Sequence, residues 1–475
     1  MKLRALYGRS RRGRGIGLKT GRSRLRTMSI DQFDAILSKY SRIDSFENRH
    51  HVKNLRRLLR KLRRDETLII KPIVIKRRMK SDGVLDTIYP ERNELWIPSW
   101  KRKKTGSLDL HRFSFIDNPI QTISLLRDIV ERESTWKAYS LNFIDNNCLD
   151  ISAYMVLGLL REKMLPVITG GKITAGIRRV VSAVNLSEFL NIKGNGPRRV
   201  YGIYPFTLRQ RRGAGESVRD NNGKFVTSEE RTASLLPETI DKWLSELNPP
   251  LALSERGRIN ILTLIGEVLD NAKRHSDPAN ADGTWSIAGF MEARERSDGS
   301  TTLACHLGII NPGHTIYQSL QRAPADIRAQ VSKYATSHTS GLFQRCPYDE
   351  EALWTVSALQ DTISRVPLSE KGSRGGFGMM TLVEMINELN QSPHPEDRPR
   401  MTIVSGTSCV MVRDKHEKFR KIEAGHRIMA FNDGNVLDQP PDGEYVFTLP
   451  YRFQGTIVAL RFFLDPSERK KDGQE

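Results

Sequence analysis

Apolar residues recur at helical spacing along the whole of one stretch, Arg258–His275. This spacing predicts an amphipathic helix with one buried face. The buried stripe would consist of Ile261, Leu264, Ile265, Val268, Leu269 and Ala272. Glu267, Asn271 and His275 stand four residues apart, so they share one margin of that stripe. The sequence therefore predicts a half-buried helix that carries a carboxylate, a carboxamide and an imidazole along one line.

A carboxylate and a carboxamide one helical turn apart can serve one small polar site. The amide oxygen of Asn271 suits a hard cation such as Mg²⁺, and the carboxylate of Glu267 can orient or deprotonate a water. Mg²⁺ keeps several waters and takes phosphate oxygens, so one or two protein ligands are enough. The alternative interpretation of the same spacing is a solvated helix margin that binds nothing.

Two later motifs follow this helix in order. Asn311-Pro312-Gly313-His314-Thr315-Ile316 comes first, and Gly375-Gly376-Phe377-Gly378 comes second. Together with Glu267, Asn271 and His275 they resemble the N-box, G1 box and G2 box of the GHKL ATP-binding superfamily. That superfamily includes gyrases, heat-shock chaperones, histidine kinases and mismatch-repair ATPases. The order and spacing fit, and the resemblance covers the chain from about Ser254 to Leu464.

This resemblance implies a Mg·ATP site with a role for each matching residue. Asn271 would ligate Mg²⁺, and Asn311 would bind the adenine amino group. Glu267 would be the catalytic residue that orients or activates a water or a protein hydroxyl. The other residues implied in nucleotide binding are His275, Gly313, Gly375, Gly376 and Gly378. The last three open a predicted helix, Met379–Leu389, and free N–H groups at a helix N-terminus favour phosphate.

Two basic residues, Lys371 and Arg374, stand just before the glycine turn. Lys371 ends the segment 317–371, which corresponds to the lid over the phosphates in the GHKL family, and Arg374 follows it. Both residues are therefore candidate phosphate contacts, and an ordinary surface loop is the alternative for each.

The chain departs from the GHKL pattern at two positions of the first motif. Asn311 stands where the family has an aspartate, and Thr315 stands where it has a second glycine. Asparagine still offers an acceptor oxygen to an amine, but the bond is weaker than a charge-assisted one. Threonine is stiffer than glycine where backbone passes close to a ligand. These changes predict retained nucleotide binding with slow turnover.

The positive charge of the chain is concentrated at one end. Residues 1–80 hold 25 Lys/Arg against 6 Asp/Glu, within a formal net charge of +20 for the whole chain. Residues 1–64 are predicted to form a basic arm followed by an amphipathic helix. Such a segment could contact the phosphate backbone of a nucleic acid. The alternatives are acidic lipid, an acidic protein partner, or a solvated face over a small core.

Strands and helices alternate in residues 65–195, which predicts a small α/β domain. Within it, the segment Phe143–Leu160 resembles the centre of a STAS (anti-sigma-factor antagonist) domain. Those domains present a phosphorylatable hydroxyl at a helix N-terminus, and the nearest hydroxyl here belongs to Ser152. Asn146 is the other candidate for that position, which would make the domain non-phosphorylatable. A plain α/β spacer is the alternative to the STAS interpretation.

The rest of the chain is predicted to contain a linker at 196–225, a GHKL-type domain at 226–465 and a charged tail at 466–475. The predicted domain begins with a helix at Ser228–Leu247 and continues with a hairpin of Trp285–Arg294 and Thr301–Asn311. Strands follow the glycine turn, at Met401–Val412, His426–Phe431, Tyr445–Leu449 and Thr456–Leu464. The fold class is therefore predicted to be α/β (α+β), with a two-layer sandwich whose sheet is covered by helices on one face.

The apolar runs and the cysteine spacing of the sequence indicate where in the cell the protein is expected. No run of about 18 apolar residues is present, and the N-terminus lacks the apolar region of a secretory signal. The four cysteines have no CxxC or Cys/His spacing, which argues against structural zinc and disulfides. We therefore expect a cytoplasmic protein without a transmembrane segment.

Three functions stay open on the sequence. The first is an ATP-binding regulatory protein in which slow hydrolysis drives a conformational switch. The second is a serine/threonine protein kinase of the anti-sigma-factor kinase type. The third is a non-catalytic nucleotide sensor or scaffold whose basic arm holds nucleic acid. The expected partners are an adenine nucleotide, a second protein or a second copy of the chain, and a nucleic acid bound through residues 1–64.

Overall fold

The computed structural model describes a defined part of the chain. The described residues are 82–92, 106–135, 139–164, 167–192, 202–211, 218–220, 225–226, 229–276, 284–296, 299–339, 347–360, 383, 394, 397–413, 420–421, 427–464 and 469–471. The basic arm predicted at residues 1–64 and the glycine turn at 375–378 lie outside them.

The described residues form two compact units. The first holds those up to Asp109, together with Asp128–Asn142 and Met164–Lys172. The second holds Leu110–Arg127, Phe143–Lys163 and the described residues from Ile173 onward. The chain therefore passes between the two units more than once.

The first unit contains a short three-stranded sheet. Its elements are helix α1 (Gly83–Ile88), strand β1 (Gly106–Leu110), the end of helix α2 (Pro119–Ser134), and strands β2 (Tyr139–Phe143) and β3 (Ile168–Gly170). The strand order is β1-β2-β3, and β2 pairs with β3 in parallel. Arg92 is buried here and pairs with Asp86 at 2.6 Å and with Glu133 at 3.2 Å. The buried guanidinium is thus matched by two carboxylates, as a buried charge requires.

The second unit holds the larger sheet. Its helices are α3 (Ile151–Lys163), α4 (Ala175–Ala183), α5 (Glu229–Ser245), α6 (Glu255–Ser276), α7 (Ile316–Leu320), α8 (Ala325–Thr339) and α9 (Glu350–Ala358). Its strands are β4 (Tyr204–Arg211), β5 (Val218–Asp220), β6 (Phe225–Val226), β7 (Leu251–Leu253), β8 (Trp285–Glu295), β9 (Thr301–Asn311), β10 (Arg400–Val412), β11 (Arg420–Lys421), β12 (Arg427–Ile428), β13 (Val446–Phe463) and β14 (Arg469–Lys471). Seven of them form one antiparallel sheet in the order β10-β13-β9-β8-β4-β5-β6. The pairs β7–β14 and β11–β12 stand apart from it.

Helices cover this sheet on both faces. Alternate residues of β9 pack in one hydrophobic core with α5, α6, α8 and α9; they are Leu303, Cys305, Leu307 and Ile309. The intervening residues point the other way because successive strand residues face opposite sides. Gly308 is one of them, and a Cβ there would lie 2.8 Å from the Cα of Ser152 in α3. The chain is mixed α/β as predicted, but α3 adds a layer to the sandwich that was expected to have two.

Residues 196–225 are predicted to be a linker, and the structure places β4 there. This strand pairs with β8, with Phe206 opposite Gly289 and Arg211 opposite Trp285. Phe206 and Leu208 are fully buried. The strand is hard to see in the sequence because only these two residues show apolar alternation, among glycines and arginines.

Most predicted elements within the described residues are confirmed in type. The helix expected at 258–275 lies inside α6, and the predicted hairpin is β8 and β9 in antiparallel register. The strand expected at 108–115 ends at Leu110, because Arg112 takes a left-handed backbone with φ +50°. Two strands expected near the end of the chain are one continuous strand, β13.

Candidate functional site

Helix α6 places Glu267 and Asn271 beside the core. The helix begins after Ser254, whose Oγ accepts a hydrogen bond from the N–H of Gly257 at 3.1 Å. In the first turn, Arg258 pairs with Asp241 of α5. The apolar stripe predicted from the sequence is buried along its whole length. Glu267 and Asn271 are partly exposed, as expected for the margin of a buried face.

Asn311 lies at the end of β9 and contacts the same helix. It is only 4% exposed, and its Nδ2 donates to the carbonyl oxygen of Ala272 at 3.1 Å. Ala272 follows Asn271, so the end of β9 reaches α6 one residue beyond Asn271. A carbonyl oxygen can only accept, so the Asn311 nitrogen must face Ala272 and Oδ1 must point away from it.

Two amide atoms at this junction are buried and have no hydrogen-bond partner among the described residues. They are Oδ1 of Asn311 and Nδ2 of Asn271. A buried polar atom without a partner costs roughly 1–3 kcal/mol. A molecule that donates to the first atom and accepts from the second would remove both costs. Each of these two atoms therefore has hydrogen-bonding capacity that no described residue uses.

Strand β13 supports the turn that follows Asn311. Gly455 has φ +119°, and a Cβ there would lie 2.0 Å from the carbonyl oxygen of Asn311 and 2.9 Å from the nitrogen of Gly313. Only glycine fits this position. The side chain of Gln454 donates from Nε2 to the carbonyl oxygen of Gly313 at 2.5 Å. The predicted binding turn is thus fixed by the neighbouring strand.

Thr315 has a structural role of its own. It is fully buried and caps α7, where its Oγ1 accepts from the N–H of Gln318 at 3.1 Å. Gln318 Oε1 accepts in return from the N–H of Thr315 at 3.0 Å, which completes a capping box. A glycine could not supply this hydroxyl, so the departure from the GHKL pattern has a local physical reason.

An ion pair between half-buried Arg452 and buried Glu351 connects this cap to α9. Glu351 accepts from Arg452 through both oxygens, at 2.5 and 2.9 Å, and from Thr407 Oγ1 at 2.8 Å. Arg452 also reaches Thr315 Oγ1 at 3.5 Å. Helix α9 falls in the segment expected to form a lid, yet it packs in the main core. The described part of that segment is therefore helical and anchored.

The other predicted binding residues are outside the described part of the chain. His275 lies in α6, but its side chain is not among the described ones. The remaining residues are Lys371, Arg374, Gly375, Gly376 and Gly378. Their roles stay predictions. Within the described residues, no group of three or more His, Cys, Asp or Glu is placed to hold a metal ion.

Ser152, the candidate phosphoacceptor, is buried at the start of α3. Its Oγ donates to the carboxylate of Asp150 at 2.6 and 2.8 Å. Asp150 also accepts from the N–H of Phe115 at 2.7 Å, and burial raises its pKa to about 6 despite these bonds. The hydroxyl is thus engaged and shielded in this conformation.

The sequence reasoning missed a polar group on the face of the sheet that α3 covers. His306 of β9 is 1% exposed, stacks on Phe290 with ring centres 4.3 Å apart, and has Nε2 at 3.3 Å from Glu292. Burial lowers the pKa of His306 to about 4 although Glu292 raises it. A histidine within the apolar alternation of β9 was the signal that could have pointed to this group.

Comparisons with known proteins leave the resemblance untested. No protein-family model, no curated protein and no solved structure matches this chain. Among the described residues, none of the helices combines the length and the apolar character needed to span a bilayer.

Proposed function

We propose that residues 254–464 form a GHKL-type module that binds Mg·ATP, and that the chain is an ATP-binding regulatory protein. The observation that carries this proposal is the junction of α6 with β9, where Asn311 bonds the backbone of Ala272, the residue after Asn271. Asn271 and Asn311 each leave one buried amide atom without a partner among the described residues. Both residues belong to motifs that resemble the nucleotide-binding boxes of that family.

The orientation of Asn311 supports adenine as the base. Because its nitrogen is committed to Ala272, its oxygen is the atom left for a ligand. The exocyclic amine of adenine is a donor and matches that oxygen. A guanine has a carbonyl oxygen at the corresponding ring position. That oxygen and Oδ1 of Asn311 are both acceptors and could not form a hydrogen bond. We therefore propose a preference for adenine over guanine nucleotides.

Asn271 would hold the cation through Oδ1, and its unpartnered Nδ2 would donate to a phosphate oxygen. Mg²⁺ keeps several waters and takes phosphate oxygens, so this carboxamide and the triphosphate together form a sufficient set of ligands. The cation would neutralise phosphate charge. Glu267, one turn earlier on the same helix margin, would orient a water toward the terminal phosphate. A neutral acceptor at Asn311 holds the base less firmly than a carboxylate would, which fits slow turnover.

The regulatory role follows from the resemblance to the GHKL family. We propose that binding and hydrolysis of the terminal phosphate switch the chain between two conformational states. A second protein or a second copy of the chain would bind one of the two conformational states in preference to the other.

Nucleotide binding by the full chain tests the proposal. Titration of fluorescent ATP with and without Mg²⁺ should show magnesium-dependent affinity in the wild type. Asn271→Ala and Asn311→Ala should each weaken it by about tenfold or more, the effect of one buried hydrogen bond or ligand. Glu267→Gln should retain binding and lose phosphate release.

Gln330→Ala is the matched control because it removes an exposed carboxamide from α8. It should bind like the wild type. No magnesium-dependent binding of any adenine nucleotide, or equal affinity in Asn271→Ala and Gln330→Ala, would refute the proposal.

A further inference from the structure

Strand β13 contains a β-bulge where it passes the end of β9. Two consecutive residues of β10, Ser405 and Gly406, pair with Thr456 and Phe453 of β13. Two extra residues of β13 lie between these partners; they are Gln454 and Gly455. A bulge disrupts the ladder of hydrogen bonds, and bulges are common next to active sites, where they redirect a side chain. The contacts of the two extra residues therefore indicate what this bulge does.

The bulge packs against the turn that follows Asn311. Thr456 is the register partner of Asn311, so the bulge begins where the pairing of β13 with β9 ends. Gly455 lies so close to the carbonyl oxygen of Asn311 that a Cβ would be 2.0 Å from it. The backbone of β13 thus covers the end of β9, and the side chain of Gln454 reaches the turn itself.

The carboxamide of Gln454 joins the two ends of this turn. Its Nε2 donates to the carbonyl oxygen of Gly313 at 2.5 Å and to Oε1 of Gln318 at 3.3 Å. Oε1 of Gln318 also accepts from the N–H of Thr315 at 3.0 Å, which fixes it as an acceptor. Two acceptors thus face one atom of the Gln454 carboxamide, and that atom has to be the nitrogen.

This bond fixes a peptide group that could otherwise reverse its direction. Glycine adopts positive and negative values of φ about equally well, so the peptide after Gly313 can turn over unless its oxygen is held. Gln454 holds that oxygen toward β13. Asn311, two residues earlier, is held by its own bond to Ala272. The bulge therefore adds order where the bond of Asn311 does not reach.

We propose that Gln454 is a positioning residue for the nucleotide, which holds the turn at Gly313 in one conformation beside the base. This inference rests on the proposed function, in which Oδ1 of Asn311 accepts from the adenine amine. A held turn keeps the base in one position relative to that oxygen. A released turn lets the base shift, and adenine then loses part of its advantage over guanine.

Gln454→Met tests this role in the full chain, because it keeps the length of the side chain and removes the donor. It should weaken Mg·ATP binding by about threefold to tenfold, the equivalent of one lost hydrogen bond. Binding of Mg·GTP should weaken less, so the ratio of the two affinities should fall. Displacement of fluorescent ATP by unlabelled ATP and by unlabelled GTP measures both affinities.

Gln454→Glu gives a readout that a simple loss of packing would not change. Its ionised carboxylate places an acceptor against the oxygens of Gly313 and Gln318, so it should bind ATP more weakly than Gln454→Met at pH 8. A protonated carboxyl can donate to Gly313. The affinity of Gln454→Glu, relative to the wild type at the same pH, should therefore recover as the pH falls to 5.5.

Gln210→Met is the matched control. Gln210 is a half-buried carboxamide of β4 and donates to Oγ of Ser286 at 3.3 Å. Ser286 pairs with Ile310, which faces the opposite side of the sheet from Asn311. The control loses a hydrogen bond of the same kind away from the turn, and it should bind both nucleotides like the wild type.

The outcomes separate this inference from the proposed function. If the wild type binds ATP and Gln454→Met matches it in affinity and in the ATP-to-GTP ratio, the positioning role is wrong and the nucleotide site stands. An equal loss for ATP and GTP, or the same loss in Gln210→Met, would also overturn that role, because it would reflect stability alone. If the wild type binds no adenine nucleotide, the proposed function fails and the role of Gln454 fails with it.

Discussion

The side-chain nitrogen of Asn311 donates to the carbonyl oxygen of Ala272 at 3.1 Å and so ties the end of β9 to α6. The bond has two effects. It holds the strand and the helix margin together, and it commits the nitrogen so that the oxygen is left for a ligand. An aspartate, which the GHKL pattern has at this position, could not make the bond while ionised.

The substitution Asn311→Asp should therefore destabilise the protein instead of improving its site. It places a carboxylate oxygen against a carbonyl oxygen in a position that is 4% exposed, at a cost of roughly 1–3 kcal/mol. The cost should fall at low pH, because a protonated carboxyl can donate to Ala272. Urea unfolding of the variant and the wild type at pH 4 and pH 8 measures this. An equal or higher stability of Asn311→Asp at pH 8 would show that the bond is unimportant.

Thr315→Ala should remove the cap of α7 and cost roughly 0.5–2 kcal/mol. The variant loses the hydroxyl that accepts from Gln318 and that Arg452 reaches. Thr315→Ser is the matched control, since it keeps the hydroxyl and should stay within a few tenths of a kcal/mol of the wild type. Chemical unfolding at neutral pH compares the three proteins. A serine variant as unstable as the alanine variant would assign the role to the methyl group.

Gly308→Ala should lower the free energy of unfolding by roughly 1–3 kcal/mol, because the new methyl would lie 2.8 Å from the backbone of Ser152. The neighbour is a main-chain atom of α3, so a side-chain rotation cannot relieve the clash. Gly266→Ala is the control with the opposite sign. A methyl there has nothing within 4 Å, and alanine stabilises a helix interior by roughly 0.5–1 kcal/mol over glycine. Thermal unfolding of both variants distinguishes the two outcomes, and a shift of the same sign in both would contradict the packing of α3 on β9.

His306 should make the protein sensitive to acid. Burial lowers its pKa to about 4, below the unfolded value of 6.5, so the unfolded chain binds the extra proton first as pH falls. The stability contributed by neutral His306 is present above about pH 6.5 and is lost as pH falls toward 4, by about 3 kcal/mol. His306→Gln does not titrate and should lack this loss. Urea unfolding of both proteins from pH 4 to pH 8 gives the difference between their free energies of unfolding, which is the contribution of His306. If this difference did not change with pH, the prediction would be wrong.

Asp150 contributes to the pH dependence of the free energy of unfolding with the opposite sign. Its pKa is raised to about 6, so the stability that the neutral carboxyl contributes is present at low pH and is lost as pH rises through 6. The comparison with His306→Gln is needed because the wild-type curve alone would show the two effects partly cancelled.

Local patterns in the sequence were sufficient for the elements that build the candidate site. The helical spacing in 258–275 predicts α6, and the turn before Ser300 predicts the hairpin that ends in Asn311. Contacts that depend on strand register were not accessible. Nothing near Gln454 in the sequence shows that it bonds Gly313, because that contact depends on the pairing of β13 with β9. The packing of Gly308 on Ser152 was hidden for the same reason, since it joins residues far apart in the chain.

The position of α3 bears on how the chain can be divided for expression. A fragment that begins at residue 226, the predicted start of the C-terminal domain, would lack both α3 and β4. It would leave Phe290 and Gly308 open to water on one side of the sheet, and it would remove the strand that pairs with β8 along its outer edge. Exposed apolar surface beside an unpaired strand promotes aggregation. A C-terminal fragment that keeps the second unit whole therefore has to begin at or before Leu110, well inside the part that the sequence assigns to a separate domain.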